Sequence, residues 1–208
     1  MQKKNFIIGA GGHGAVVYEA LRANGETVEA FLDLDPALHG TDFMDCPVLS
    51  QNDALSDLQP AETAIANGVG DIGVRKKIFE NLKQADFEIR TLIHPSAVVA
   101  PDVVIGEGAQ IMAGSVVQPR TVIGDNVVLN TRCSIDHDCH LMAHSFIAPG
   151  AVLCGDVKVG DETLIGAGAS VIEKIEIGRN VLIGAGAAVV GPIPDNTTAL
   201  GVPARLVK

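Results

Sequence analysis

Aromatic side chains are almost missing from this chain: 3% of its 208 residues, with no Trp and a single Tyr. Its core must therefore be built from small and aliphatic groups, as an interior too narrow for rings requires. Positive charge is also short, with 15 Lys and Arg against 25 Asp and Glu and a net charge of −10. That balance argues against nucleic acid or an anionic membrane surface as the main partner, and any anionic ligand must be held by local donors. The four cysteines, Cys46, Cys133, Cys139 and Cys154, lack metal-like pairing and read as small hydrophobes in a reducing cytoplasm. No apolar run is long enough to span a bilayer, and the one in MQKKNFIIGAGG is too short for a signal peptide. A soluble cytoplasmic protein is expected.

What is abundant is Gly, with 23 residues, and a strict period of six. From Ile93 through Val99, Ile105 and Ile111 to Val189, an aliphatic residue recurs at every sixth position without a slip. A small side chain stands two residues before most of them, as at Ala109, Ser115, Thr121, Cys133, Cys139 and Ala187. This period is neither that of a helix nor that of a simple amphipathic strand. It is the mark of a hexapeptide β-helix, in which three hexapeptides close one eighteen-residue, three-faced coil and coils stack about 4.8 Å apart. The aliphatics are expected to point inward at the corners, each worth roughly 1.5–3 kcal/mol on burial. The repeat fills residues 93–208 and leaves 1–92 for a separate domain.

That first domain reads as a Rossmann-like βαβ unit. A strand at residues 5–8 runs into Gly9-Ala10-Gly11-Gly12-His13-Gly14, a helix is expected over 15–24, and a second strand over 28–32 ends at Asp33. The loop fits G-x-G-x-x-G with an acid about twenty residues on, so backbone N–H groups can approach a diphosphate while the acid accepts from a sugar hydroxyl. The domain is short for a dinucleotide, which favours a mononucleotide or nucleotide-sugar; tight strand-to-helix packing without a ligand is the alternative. A looser stretch around Cys46-Pro47, a short helix near 53–58 and strands at 64–66 and 88–92 complete it. Arg75, Lys76 and Lys77 open a basic helix, either as a solvated face or as phosphate contacts.

Within the solenoid, the chemically odd segment lies at 130–144, where His137, His140 and His144, three of the six histidines, fall within eight residues. No histidine stands eighteen or thirty-six residues before any of them, so a zinc site shared between coils is not expected and no metal is assigned. His137, two residues past the inward Ile135, should project outward as a general base, with Asp136 or Asp138 fixing its tautomer. Downstream, IAPGA at 147–151 and IGAGA at 165–169 and 183–187 stack along one edge, leaving a shallow groove suited to an extended, amide-bearing ligand such as a pantetheine arm.

Together, the repeat, the GAGGHG loop, the segment from Asn130 to Cys139 and the terminal Gly201-Val202-Pro203-Ala204-Arg205 resemble the hexapeptide-repeat sugar O-/N-acyltransferases of the sialic acid O-acetyltransferase type. The chain is most similar to bacterial acetyltransferases acting on UDP-4-amino-4,6-dideoxy sugars. The resemblance implies a left-handed helix and a homotrimer with active sites between subunits. It implies a UDP-amino-sugar at Gly11, Gly12, His13, Asp33 and Gly68, and acetyl-CoA along the solenoid near Ala167 and Ala185. His137 would be the base, Asp138 its orienting carboxylate and Asn130 a nearby polar contact, with the Gly155 N–H directed at the thioester oxygen. Phe146, on the cofactor side, stands where these enzymes often carry a second histidine. Direct acetyl transfer to an amine is the expected reaction; O-acetylation of a sugar hydroxyl and a non-catalytic nucleotide-sugar-binding trimer are the alternatives.

Overall fold

The computed structural model describes residues 3–207; the ends of the two expected domains, residues 1, 2 and 208, lie outside the described residues. Contacts divide the chain into Met1–Pro95 and Ser96–Lys208. The Ile93 carbonyl accepts from the Asn24 side chain at the end of the first helix, within the first of these units.

The N-terminal unit is a six-stranded sheet with order β3-β4-β2-β1-β5-β6. Its strands are β1 (Lys4–Ile8), β2 (Val28–Asp33), β3 (Asp42–Phe43), β4 (Cys46–Ser50), β5 (Thr63–Asn67) and β6 (Glu88–Ile89), with helices α1 (Gly12–Ala23), α2 (Gln51–Asp57) and α3 (Ile72–Gln84). All pairings are parallel except β3 with β4. Central β1 is buried from Asn5 onward, as both covered faces of a parallel sheet demand.

Two local expectations need correction. The helix begins at Gly12, not at residue 15, because the Ala15 N–H already bonds the Gly11 carbonyl. Cys46-Pro47 is not a loose stretch but the start of β4; the Val48 N–H bonds the Thr41 carbonyl on the β3 side, so Pro47 faces β2, where the register begins only at Val48 and no N–H is missed.

The second unit is a left-handed parallel β-helix with three faces. Two-residue strands stack in register eighteen residues apart, as in Val116↔Ser134↔Val152↔Ser170 and Val122↔His140↔Lys158↔Glu176. The repeating aliphatic is the second residue of each strand rather than a corner residue; from Ile111 to Val189 it is buried, while the first member, Ile93, is 38% exposed. The small residue two positions before is buried beside it, as at Ala109, Ser115, Thr121, Cys133 and Cys139. Corners are made by residues with positive φ, including Arg120, Arg132, Asp138 and Asp156. Thr198–Leu200 adds a parallel strand to the face of Leu182–Ile183, and Arg205–Val207 returns antiparallel to it.

Candidate active site

The N-terminal unit gathers its candidate residues around the end of β1. A Cβ on Gly14 would meet the Gly9 carbonyl oxygen at 2.0 Å, and one on Gly68 would meet the Gly14 Cα, Ile7 Cγ2 and the Ile8 carbonyl oxygen at 2.8 Å. These glycines are there because three backbones cross. Gly11 and Gly12 face open space. The Asp33 carboxylate receives the Ala10 N–H on Oδ2 at 2.8 Å and the Asp35 N–H on Oδ1 at 3.0 Å, which fixes the loop and leaves lone pairs for a further donor. His13 lies in the first turn of α1, where N–H groups lack intrahelical partners.

Sequence reasoning missed the role of Arg75, which is neither solvated nor on an exposed phosphate-binding face. It is 2% exposed, and its Nη1 donates to the carbonyls of Asn67 at 2.9 Å and Val69 at 3.0 Å, while Asn67 Nδ2 returns a bond to the Arg75 carbonyl. Burial lowers its pKa to about 9. It braces the turn that carries Gly68; Lys77 alone of the basic triplet is exposed, and Lys76 is half-buried.

In the solenoid, His137, Asp138 and Gly155 come together at one corner. His137 Nδ1 lies 2.6 Å from Asp138 Oδ2, and the His137 N–H donates to Asp136 Oδ1 at 2.8 Å. Of the two acids open from sequence, Asp138 meets the ring and Asp136 the backbone. One coil on, Gly155 lies under the imidazole: a Cβ there would stand 2.6 Å from Cε1 and 2.8 Å from Nε2. Coil stacking runs through this point, since the Asp156 N–H bonds the His137 carbonyl at 2.9 Å. Among the described residues the Gly155 N–H has no partner. The Asp138 carboxyl is held well below the usual carboxylate range, first by the Arg120 guanidinium and then by His137. With Nδ1 engaged by a carboxylate, the ring's other nitrogen is the one available to take a proton.

Asn130, Ala167 and Ala185 sit at the neighbouring corner, and Phe146 on the strand face that leads into it. Asn130 follows the strand Val128–Leu129, and its Oδ1 accepts from the Thr131 N–H at 2.8 Å. Ala167 and Ala185 are exposed and stacked, linked by the Gly186 N–H to the Ala167 carbonyl at 2.8 Å, and neither alanine N–H has a partner among the described residues. Phe146 is 9% exposed and pairs in register with Val128 and Leu164. His140 is a strand residue on the next face, and His144 Nδ1 meets Asn126 Nδ2 at 3.0 Å. Burial pushes the Cys133 and Cys139 thiols up to about 11, so neither is a ready nucleophile at neutral pH.

Comparison with known proteins bears on both units. Residues 4–82 match the PglD N-terminal domain, and residues 120–155 and 156–191 match the bacterial transferase hexapeptide repeats. The acetyltransferase domain of PglB from Neisseria gonorrhoeae FA1090, solved in complex with acetyl coenzyme A, is 40% identical with a TM-score of 0.93, and each chain covers 100% of the other. The chain belongs to the hexapeptide-repeat sugar acetyltransferases. Another family member, PerB from Caulobacter crescentus in complex with CoA and GDP-perosamine, is 40% identical over 99% of this chain and 97% of that one, with a TM-score of 0.93. A UDP-N-acetylbacillosamine N-acetyltransferase from Bacillus subtilis (strain 168) is 38% identical over 110 residues, 51% of this chain and 50% of that protein, so the match spans half the length of that relative.

Proposed function

We propose that this acetyltransferase moves the acetyl group of acetyl-CoA to the 4-amino group of a UDP-4-amino-4,6-dideoxy sugar. His137 removes a proton as the amine attacks the thioester carbonyl, the Gly155 N–H steadies the oxyanion, and CoA leaves as the thiol. Asp138 holds the imidazole by Nδ1 and stabilises the imidazolium that forms. The observation that carries this reading is the seating of the His137 ring over Gly155, beside a backbone N–H without a partner among the described residues. No covalent intermediate is needed.

In this reading the nucleotide-sugar lies against Gly11, Gly12, His13, Asp33, Gly68 and Asn130. The pantetheine arm bonds the open backbone at Ala167 and Ala185, near Phe146. The protein works as a homotrimer with sites completed by neighbouring subunits, which suits a catalytic histidine whose side chain is 53% exposed in a single chain. Acetyl-CoA and nucleotide-sugars are cytoplasmic metabolites, and we assign the enzyme there; among the described residues no helix is long and apolar enough to cross a membrane.

A second reading, a GDP-4-amino sugar as acceptor, is favoured by the likeness to PerB. Free-thiol release from acetyl-CoA, followed with UDP-4-amino-4,6-dideoxy-N-acetylglucosamine, GDP-perosamine or neither, tests both. Release that requires the UDP sugar supports the first reading, and release only with the GDP sugar replaces it with the second. Release with neither amine, but with a sugar hydroxyl, would mean O-acetylation.

A further inference from the structure

One cation reaches into the catalytic corner from the coil before it. Arg120 lies eighteen residues before Asp138, so the β-helix register stacks the two residues on one ridge. Arg120 Nε donates to Asp138 Oδ1 at 2.6 Å and Nη2 to Oδ2 at 2.7 Å, a bidentate fork. Asp138 Oδ2 is the same oxygen that lies 2.6 Å from His137 Nδ1. Below, Asp102 Oδ2 accepts the Arg120 N–H at 3.1 Å and fixes its corner, while the Asp138 N–H bonds the Pro119 carbonyl. Above, the ridge continues through Asp156 and Lys174, whose N–H groups bond the carbonyls of His137 and Gly155. Asp136 completes the charged groups around the ring through its bond to the His137 N–H.

A lone carboxylate on an exposed corner can rotate about its side-chain bonds and present either oxygen to the imidazole. The planar fork removes that freedom by holding both oxygens at once. We propose that Arg120 is a positioning residue for acetyl transfer: it clamps Asp138 so that Oδ2 stays on Nδ1 and the imidazole keeps its free nitrogen toward the substrate. Around the ring its positive charge stands among the acids Asp102, Asp136, Asp138 and Asp156. A lysine at this position would keep the charge but not the fork.

This inference rests on His137 acting as the base, so His137→Ala is measured alongside: if that variant turns over normally, the base assignment itself fails. With His137→Ala inactive, Arg120→Met is expected to lower kcat about tenfold, leave the KM for acetyl-CoA within about twofold, and move the acid limb of kcat/KM to higher pH. Arg120→Lys should restore the position of the limb but not kcat. In an Asp138→Asn background, Arg120→Met should cost less than about twofold, because the clamp has nothing left to hold. Unchanged kcat in Arg120→Met, full rescue by Lys, or an equal loss in both backgrounds would overturn the clamp while leaving His137 as the base. Unchanged far-ultraviolet circular dichroism and thermal midpoint in the variants separate these results from misfolding.

Discussion

The two units each place a guanidinium, in opposite surroundings. In the N-terminal unit a guanidinium, Arg75, is buried at 2% exposure and spends its donors on backbone carbonyls, including those of Asn67 and Val69. In the solenoid the interior is aliphatic, and the guanidinium of Arg120 lies on an outer ridge, paired with a carboxylate beside the candidate base. A six-stranded sheet joined by irregular turns has buried carbonyls that need a donor. A β-helix satisfies most of its backbone between coils and leaves interior carbonyls to small hydroxyls such as Ser115, Thr121 and Thr163, so the guanidinium of Arg120 is left to the surface. The Arg75 guanidinium holds backbone, whereas that of Arg120 holds a side chain.

Inverting that arrangement in the solenoid should have the largest effect. Ile135→Asp puts a carboxylate without a partner at a fully buried position, at an expected cost of about 4 kcal/mol or more. Urea unfolding should show the β-helix lost or nearly so. Removing the buried charge from the other unit should cost less. Arg75→Leu leaves the carbonyls it holds without this donor, for about 2–3 kcal/mol, and the same titration should reveal an early transition with acetyl-CoA binding retained.

Gly155→Ala should separate chemistry from folding. The added Cβ pushes the His137 ring from its seat, so thiol release should fall about a hundredfold while the thermal midpoint moves little. The smallest effect belongs to the exposed ridge. Because the Asp138 carboxyl is held below its ordinary range, its interactions contribute above the unfolded carboxyl value of about 3.9 and are lost as pH falls through the lower folded value. The stability difference between wild type and Asp138→Asn should therefore be flat from about pH 5 to 8 and shrink below about pH 4. A difference that grows on acidification would reverse the sign.

The same contrast explains what could be read from sequence. Wherever the eighteen-residue register applies, position alone brings residues together, and Gly155 beneath His137 follows from a spacing of eighteen. Arg120 bears the same relation to Asp138 and was within reach of that rule; its signal was a charged corner one coil before the histidine segment. The N-terminal unit has no such register. Strand β4 was hidden by Pro47, and the burial of Arg75 follows from where α3 settles on the sheet, a tertiary choice that the run Arg75-Lys76-Lys77 does not encode. The start of α1 at Gly12 was hidden because four glycines in six residues read as a loop, although the Gly11 carbonyl already accepts the first helical bond.

The most direct test of the catalytic corner is the pH dependence of kcat/KM for amino-sugar-dependent thiol release, compared between wild type and His137→Ala. Expected is a single-ionisation acid limb in the wild type, and in the variant a rate lower by about a hundredfold or more with that limb absent. A folded His137→Ala protein that keeps wild-type turnover and the same acid limb would contradict the assignment of His137 as the base.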